Sequence, residues 1–540
     1  MSDASWWRGA VIYQIYPRSF LDTDGDGVGD LPGILERLDY VADLGVDAIW
    51  IAPFFKSPMA DFGYDIADYR DVDPLFGTLA DFDRLLAKAH QLGLKVMIDQ
   101  VLSHTSAEHP WFRESRQSRD SPKAEWYVWA DARPDGTAPN NWLSLFGGSA
   151  WQWEPRRGQY YLHNFLVSQP DLNFHHPEVR VAALDNMKFW LDRGVDGVRL
   201  DAINFCFHDR QLRDNPAKPK EKRVGRGFSP DNPYAFQYHL YNNTQPENLA
   251  FLGELRALMD CYPDVAALGE ISSEDSLATM AEYTRDGRLH MGYSFELLTD
   301  DFSAAHIRDT VRQLEAQMTE GWPCWAISNH DVERVLTRWG NGDASAPLAN
   351  LFTAMVCSLR GSVCVYQGEE LGLTEADVPY ESLRDPYGIA FWPQFKGRDG
   401  CRTPMPWNDA DMQAGFSHGM PWLPVPEEHR TRAVARQQAD PHSVLNGFRT
   451  FMRWRRTQLA LRQGDIEFIE TAEPVLAFIR RFDGEALLVM FNLAGVDIAF
   501  ELPSDWIGAS AVEGHGLAQG RLDEGRLQLP GHGAWFARLA

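Results

Sequence analysis

Short apolar runs recur along the chain, and longer amphipathic segments separate them. The runs are rich in Val, Ile, Leu and aromatic residues, which is typical of strands buried on both faces. They cover residues 11–15, 47–51, 95–99, 196–200, 265–270, 291–295, 324–328 and 362–366. Between them, apolar positions at helical spacing predict helices such as 79–92 and 179–193. Strands that alternate with helices eight times favour a parallel (β/α)8 barrel, although a doubly wound sheet has the same alternation.

Three intervals are longer than a barrel connection requires. Residues 104–170 follow the third strand and are rich in Trp, Pro and Gly, and residues 204–247 and 371–440 are long loops. Long loops on such a scaffold usually carry function. Near residue 465 the pattern changes to alternating strands, which predicts a small antiparallel β domain. The predicted bounds are 1–103 and 171–464 for the barrel, 104–170 for the inserted subdomain, and 465–540 for the C-terminal domain.

Composition limits the partners of this 540-residue chain. Lys and Arg total 51 against 76 Asp and Glu, which gives a formal net charge of −25. Nucleic-acid binding needs a basic face, so this charge argues against it, and less strongly against an anionic membrane surface. We see no secretory signal, no run of the ~18–20 apolar residues that span a membrane, and no CxxC pair among the scattered cysteines. These features predict a cytoplasmic enzyme or binding protein that does not associate with membranes.

Carboxylates stand at the ends of three predicted strands. Asp201 ends the fourth strand, Glu270 ends the fifth, and Asp331 follows the seventh. In a barrel these ends meet on one rim, where active sites form. Any one of them alone is better explained as a helix cap or an arginine partner, but the three together point to chemistry.

The neighbours of these carboxylates suggest different protonation states. Arg199 and Asp201 face the same way on a strand, and a guanidinium beside a carboxylate favours the charged form that a nucleophile needs. Glu270 has apolar sequence neighbours and can stay protonated as a general acid. Two such carboxyls about 5–5.5 Å apart define a retaining glycoside hydrolase.

Four segments around these residues carry a family resemblance. Asp99-Gln-Val-Leu-Ser-His104, Gly197-Val-Arg-Leu-Asp-Ala202, Gly269-Glu-Ile271 and Ser328-Asn-His-Asp331 resemble the four conserved regions of the α-amylase family of glycoside hydrolases. Residues 7–20, 169–173 and 398–407 are similar to sequences of its α-glucosidase and oligo-1,6-glucosidase branch. The resemblance implies a (β/α)8 TIM barrel with a subdomain inserted after strand 3 and a C-terminal antiparallel β-sandwich.

The resemblance also implies roles for individual residues. Asp201 aligns with the nucleophile, Glu270 with the acid/base, and Asp331 with the carboxylate that binds ring hydroxyls and stabilises the transition state. The expected substrate-binding residues are Asp61, Tyr64, His104, Phe165, Arg199, Ala202, His330 and Arg398. Asp61 and Tyr64 match the pair that closes the family's pocket, which predicts an exo-acting enzyme.

The resemblance also bears on linkage preference, and the chain departs from the family's sequence at several positions. In the resembling branch, Val directly after the nucleophile goes with α-1,6 specificity, and Ala or Thr goes with α-1,4. Ala202 therefore predicts a preference for maltose-like bonds over isomaltose. The family commonly has Asn where Ser103 and Phe62 stand, and Asn-Ala where Gly400-Cys401 stand. None of these departures removes a catalytic group.

The segment Asp22-Thr-Asp-Gly-Asp-Gly-Val-Gly-Asp30 presents oxygens at alternate positions. A hard cation would take its ligands from Asp22, Asp24, Asp26, the Val28 carbonyl and Asp30. The segment begins like an EF-hand loop but has Gly33, not Glu, at the twelfth position. The resembling glucosidases bind Ca²⁺ or Mg²⁺ here, which implies a structural divalent cation, and a solvated acidic turn is the alternative. No organic cofactor is expected.

Together these features predict an exo-acting retaining α-glucosidase that hydrolyses terminal α-1,4-linked glucose from maltose and short maltooligosaccharides. Sugar or alcohol acceptors compete with water for the same intermediate, so transglucosylation is expected, with loops 204–247 and 371–440 setting the balance. The alternatives are a predominant α-glucosyltransferase, an α-1,6-glucosidase and a sucrose-acting relative. An inactive transporter-subunit-like relative is disfavoured, because the three catalytic carboxylates are present. Phe146 and Trp392 are candidate walls of the +1 subsite.

Overall fold

The computed structural model describes residues 5–223, 231–503, 506 and 508–539. Its strands in chain order are β1 Val11–Ile15, β2 Ala48–Ile51, β3 Phe55–Lys56, β4 Asp68–Val72, β5 Lys95–Val101, β6 Trp129–Ala130, β7 Trp151–Glu154, β8 Gln159–Leu162, β9 Gly197–Asp201, β10 Ala266–Ile271, β11 Met291–Ser294, β12 Pro323–Ala326, β13 Ser362–Tyr366, β14 Asp465–Ile469, β15 Val475–Phe482, β16 Glu485–Asn492, β17 Ile498–Glu501, β18 Ser510–Ala511, β19 Arg521–Asp523, β20 Arg526–Leu529 and β21 Ala534–Arg538. Its α-helices are α1 Leu31–Asp43, α2 Leu79–Gln91, α3 Pro110–Ser115, α4 Pro177–Asp192, α5 Asn248–Met259, α6 Ser276–Tyr283, α7 Ala304–Gln317, α8 Val335–Arg338, α9 Ala346–Val356, α10 Pro386–Phe391, α11 Glu427–Thr431, α12 Val434–Ala439, α13 Val444–Arg456 and α14 Leu459–Gln463.

Parallel strands close into a barrel in the order β1, β2, β5, β9, β10, β11, β12 and β13, with β13 paired to β1. The eight apolar runs predicted from the sequence form these strands, so the barrel prediction is confirmed. The closed sheet excludes the doubly wound alternative. Every residue of β1, β2 and β13 is buried, as expected for strands that have side chains on the barrel axis and helices outside.

Local signals set the starts of the helices around the barrel. Thr78 and Asp81 form a capping box at the start of α2. Asp30 caps α1, and its Oδ1 accepts a hydrogen bond from the Gly33 N–H at 2.6 Å. The apolar faces of both helices join the main core of the barrel. These helices pack around the outside of the barrel, whose strand ends carry the candidate site.

Two further sheet systems lie outside the barrel. Strands β6, β8 and β7 form a small sheet within the segment inserted after β5. Near the C-terminus, β14-β15-β16-β21-β18 form one antiparallel sheet and β17-β20-β19 form a second. Trp535 and Leu488 of the first sheet share a core with Leu527 and Leu529 of the second. The expected C-terminal β-sandwich is therefore present.

Within the described part of the chain, no helix combines the length and the apolar character that a membrane crossing requires. The six cysteines are free thiols, and all except Cys261 are buried. Cys324 and Cys364 lie on neighbouring barrel strands with their Sγ atoms 3.6 Å apart.

Candidate active site

The carboxyl ends of β5, β9 and β10 place three carboxyls around one buried guanidinium. Nη1 of Arg199 donates to Asp99 at 3.0 Å and to Asp201 at 2.7 Å, and its Nη2 forms an ion pair with Glu270. The same guanidinium lies 4.7 Å from the ring centre of Trp50. Because Asp201 and Glu270 contact two nitrogens of a single planar group, the two carboxyls are held close together in a fixed orientation.

Burial and the Arg199 charge act in opposite directions on these carboxyls. Burial raises the pKa of Glu270 to about 8, although Arg199 opposes the rise. Burial also raises the pKa of Asp99 to about 7 against the same guanidinium. The Glu270 carboxyl is therefore able to hold a proton at neutral pH, as a general acid must.

Asp331, which follows β12, faces two arginines from the long loop 371–440. Its Oδ1 accepts from Arg398 at 3.2 Å and from Arg402 at 2.9 Å. Burial alone would raise the pKa of Asp331, but the neighbouring positive charges hold it well below its ordinary value. Asp331 is thus an anion throughout the neutral range, in contrast to Glu270.

Arg398 closes one end of the site by joining carboxylates from three loops. Besides Asp331, its guanidinium contacts Asp61 at 2.8 Å and Asp385 at 2.9 Å. The backbone N–H of Arg398 also donates to Asp385 at 2.7 Å. The second carboxylate oxygen of Asp61 accepts from Gln169 at 3.0 Å. The sequence signal for Arg398 and Asp61 was a family motif, whereas nothing local marked Asp385.

A chain of buried hydrogen bonds lies beneath these carboxylates. The side-chain nitrogen of Gln14 lies 2.7 Å from Nδ1 of His330, and Nε2 of His330 lies 2.7 Å from the Tyr64 hydroxyl. Because an amide nitrogen donates, Nδ1 accepts and Nε2 carries the proton. The Tyr64 hydroxyl in turn donates to Asp99 at 3.1 Å. Burial lowers the pKa of His330 to about 3, so this imidazole is neutral.

A cavity of about 780 Å³, counting its open mouth, lies over these groups. Its wall combines apolar rings with a few carboxyl and guanidinium groups, which suits a small polar molecule. Among its wall residues are the predicted Asp61, Tyr64, His104, Phe165, Asp201, Ala202, Glu270, Asp331 and Arg398. Arg199 and His330 are buried behind this wall, and their contact with a sugar stays a prediction.

The wall also contains residues that sequence reasoning did not select. These are Leu145, Gln169, Phe205, Ser272, Phe295 and Tyr387. Gln169 lies inside a motif that the sequence analysis noted, but the others follow no local pattern. Of the two aromatic candidates for the +1 subsite, Phe146 lines the cavity, whereas Trp392 packs against the ring of Tyr380 at 5.3 Å.

His104 and Ala202 each have a distinctive local geometry. Nε2 of His104 lies 3.0 Å from the Tyr64 carbonyl, and its Nδ1 lies 2.9 Å from the Ser103 hydroxyl. Ser103 thus supplies a polar partner where the family commonly has Asn. Ala202 has a left-handed backbone, with φ 41° and ψ 44°. A non-glycine residue in this region is uncommon and often marks a functional turn.

The acidic loop after β1 gathers some of its predicted ligands. Oxygens of Asp22, Asp24 and Asp30 lie within 4.8 Å of one another. Asp26 is outside this group, and its carboxylate accepts from the Val28 N–H at 2.8 Å. Three carboxylates at this spacing offer the oxygen ligands that a hard cation prefers, so the residues fit such an ion.

Comparison with known proteins gives matches over the whole chain. The alpha-amylase catalytic domain matches residues 14–464. A "Probable alpha-glucosidase" of Rhizobium meliloti (strain 1021) is 56% identical and covers 100% of this chain and 98% of its own. An "Oligo-1,6-glucosidase" of Heyndrickxia coagulans is 38% identical over 93% of this chain and 94% of its own. The crystal structure of an alpha-glucosyl transfer enzyme is 68% identical, with a TM-score of 0.98 over 99% of both chains.

Proposed function

Because the chain belongs to the α-amylase family of glycoside hydrolases, we propose that it is an exo-acting retaining α-glucosidase. Its proposed substrates are maltose and short maltooligosaccharides, from which it removes terminal α-1,4-linked glucose. The observation that carries the proposal is the contact of one guanidinium, that of Arg199, with both Asp201 and Glu270. Two close carboxyls, one of which can hold a proton at neutral pH, are what double displacement requires.

In the first step, protonated Glu270 donates its proton to the glycosidic oxygen while Asp201 attacks C1 of the terminal glucose. The C1–oxygen bond breaks, and the remaining sugar leaves with the proton. Glucose is then bonded through C1 to the Asp201 carboxylate. In the second step, Glu270 takes a proton from water, whose oxygen attacks C1 and releases Asp201. Two inversions at C1 retain the α configuration.

The closed end of the cavity supports exo action. Arg398 bridges Asp61 and Asp331, so no path for a longer sugar chain runs between these carboxylates. Anionic oxygens there can accept hydrogen bonds from the hydroxyls of one terminal glucose. Asp331 is well placed to bind ring hydroxyls and to oppose the positive charge that develops on the sugar in the transition state.

A predominant α-glucosyltransferase is the second candidate. It is favoured by the 68% identity to the solved alpha-glucosyl transfer enzyme. Chemically the two candidates differ only in which hydroxyl attacks the glucosyl-enzyme, water or a sugar or alcohol. The aromatic wall formed by Phe146 and Tyr387 supports binding of such an acceptor. An α-1,6-glucosidase is less favoured, because Ala202 follows Asp201. A sucrose-acting enzyme is the remaining alternative.

We also propose a structural Ca²⁺ or Mg²⁺ in the loop after β1. Asp22, Asp24 and Asp30 would hold it, together with Asp26 and the Val28 carbonyl if the loop adjusts. The ion would neutralise like charges that now lie close together. It would also connect this loop to the long loop 371–440, because Asp22 already accepts from Ser417 at 2.5 Å.

Charge and cysteines bear on partners and location. The proposed substrates and acceptors are neutral glucosides and hydroxyl compounds, so a net charge of −25 does not select among them. We propose no nucleic-acid partner, for the reason of charge given above. Buried free thiols support a cytoplasmic location, where cysteines stay reduced.

Time-resolved product analysis by NMR tests the proposed function. Maltose, isomaltose and sucrose are each incubated with the enzyme, with and without an alcohol acceptor. We expect α-glucose as the first product, fastest from maltose, and alkyl α-glucoside when the alcohol is present. Release of β-glucose first, or of maltose from the interior of longer chains, would contradict retention or exo action. The Asp201→Asn variant serves as the inactive control.

A further inference from the structure

Three long loops meet at one buried asparagine behind the wall of the cavity. Nδ2 of Asn232 donates to the Leu145 carbonyl at 2.6 Å and to the Tyr387 hydroxyl at 3.0 Å. Its Oδ1 accepts from the Tyr234 N–H at 3.0 Å and caps a short 3-10 turn. Asn232 itself has no exposed surface. One side chain thus connects the inserted segment, the loop after β9 and the loop 371–440.

The two groups that Asn232 binds belong to one wall of the cavity. Leu145, Phe146 and Tyr387 all line it, and the rings of Phe146 and Tyr387 meet edge to face at 5.4 Å. The Arg398 guanidinium lies 5.0 Å from the Phe146 ring. Phe146 therefore contacts both Arg398 of the closed end, where the terminal glucose belongs, and Tyr387. The wall formed by Leu145, Phe146 and Tyr387 thus adjoins the closed end of the cavity.

We propose that Asn232 is a positioning residue that fixes this wall, and that it thereby sets how much glucosyl-enzyme an alcohol or sugar captures. The inference rests on the proposed function. A bulky acceptor must be held against the wall with its hydroxyl directed at C1, so it depends on a fixed surface. Water needs no such surface. Loosening the wall therefore lowers transfer more than hydrolysis.

The variant Asn232→Asp tests this with little change in shape. It keeps an oxygen for the Tyr234 N–H but replaces the donating NH₂ with an oxygen. That oxygen faces the Leu145 carbonyl, which loses this donor, while the Tyr387 hydroxyl must turn to donate to the new oxygen. Partition is measured with p-nitrophenyl α-glucoside as donor and 1-butanol as acceptor, as the ratio of butyl glucoside to glucose. Both products come from one intermediate, so the ratio is independent of the rate at which that intermediate forms.

We expect the ratio to fall about tenfold, which corresponds to about 1.4 kcal/mol in the competition between acceptor and water. The apparent KM for 1-butanol should rise more than the maximal transfer rate falls. Tyr387→Phe is the second variant, because it removes one partner of Asn232 and keeps the ring. We expect it to lower the ratio by a smaller factor.

Asn492→Asp is the matched control. Asn492 is equally buried, its Oδ1 accepts from the Ala494 N–H at 3.1 Å, and its Nδ2 donates to the Val496 carbonyl at 2.8 Å. It lies in the C-terminal β-sandwich, so the substitution removes the same kind of bonds away from the cavity. We expect a lower melting temperature and an unchanged product ratio.

The outcomes separate the inference from the proposed function. If the wild-type enzyme releases no glucose from any α-glucoside, the proposed function fails. If it does, and Asn232→Asp has the wild-type ratio, the inference fails. An equal drop in Asn492→Asp would also overturn it, since general destabilisation would then explain the effect. If Asn232→Asp does not fold, the ratio of Tyr387→Phe decides, and a wild-type value overturns the inference.

Discussion

The backbone N–H of Ala202 donates a hydrogen bond to Oε2 of Glu270 at 3.1 Å. Ala202 directly follows Asp201, so the turn that ends the strand of the proposed nucleophile also holds the proposed acid. The left-handed backbone at Ala202 directs its N–H toward Glu270. The conformation of this one residue therefore influences the relative position of both carboxyls.

Substituting Ala202 by Val should change linkage preference and stability together. A β-branched side chain fits poorly at a φ of 41°, so we expect a loss of about 1 kcal/mol in the free energy of unfolding. We also expect the ratio of kcat/KM for isomaltose to that for maltose to rise. Ala202→Gly, which keeps the backbone without strain, is the control and should keep the maltose preference. An unchanged ratio in the Val variant would show that Ala202 does not determine linkage preference.

Glu270→Gln and Asp201→Asn should differ in their dependence on the leaving group. The first removes the proton donor, and we expect its rate on maltose to fall about 100- to 10,000-fold. Its glucosylation by p-nitrophenyl α-glucoside should fall less, because p-nitrophenolate leaves without protonation. Asp201→Asn removes the nucleophile and should abolish the reaction of both substrates. Burst and steady-state kinetics measure the two steps, and an active Asp201→Asn would refute the mechanism.

The pH dependence should follow the protonated form of Glu270. Its raised pKa of about 8 means that the acid is present below this pH and is lost as the pH rises through it. We expect kcat/KM for maltose to decline tenfold per pH unit above about 8. Asp331 does not contribute to this decline in kcat/KM, because its pKa is held low. The pH profile of Glu270→Gln should lack this decline. If the decline persists in that variant, another group causes it.

Removing divalent cations should destabilise the protein if the acidic loop binds one. Chelation with EDTA is expected to lower the melting temperature, and excess Ca²⁺ or Mg²⁺ to restore it. Binding at one hundred times Kd contributes about 2.7 kcal/mol to stability. Asp22→Asn should lower the melting temperature and remove the response to EDTA. Asp135→Asn is the control, since Asp135 caps a separate exposed turn through the Thr137 N–H at 3.0 Å. An EDTA response that survives in Asp22→Asn would place the ion elsewhere.

The barrel was predictable because a local sequence pattern marks each of its strands. A buried parallel strand reads as an apolar run, and the carboxylates Asp201 and Glu270 stand at the ends of such runs. Asp385 and Asn232 were not predictable in this way. Asp385 acts through Arg398 of the same long loop, and Asn232 acts through Leu145 of another loop. No spacing along the chain marks either contact.

One departure from the family pattern has a physical explanation that only the structure supplies. A Cβ atom added at Gly400 would lie 2.1 Å from Oε1 of the half-buried Glu375 and 2.6 Å from the Ala376 carbonyl. The Asn that the family commonly has there would collide with both. Glycine is therefore required at this position because Glu375, from the same long loop, occupies the space.

The closed end of the cavity has a consequence for how the enzyme acquires activity. Arg398 is 13 residues from Asp385, 67 from Asp331 and 337 from Asp61, yet contacts all three. Contacts across such separations form late, since the entropy of closing a long loop must first be offset. Helical circular dichroism should therefore recover before glucose release when the protein refolds. Catalytic competence reports completion of the long-range topology, whereas secondary structure does not.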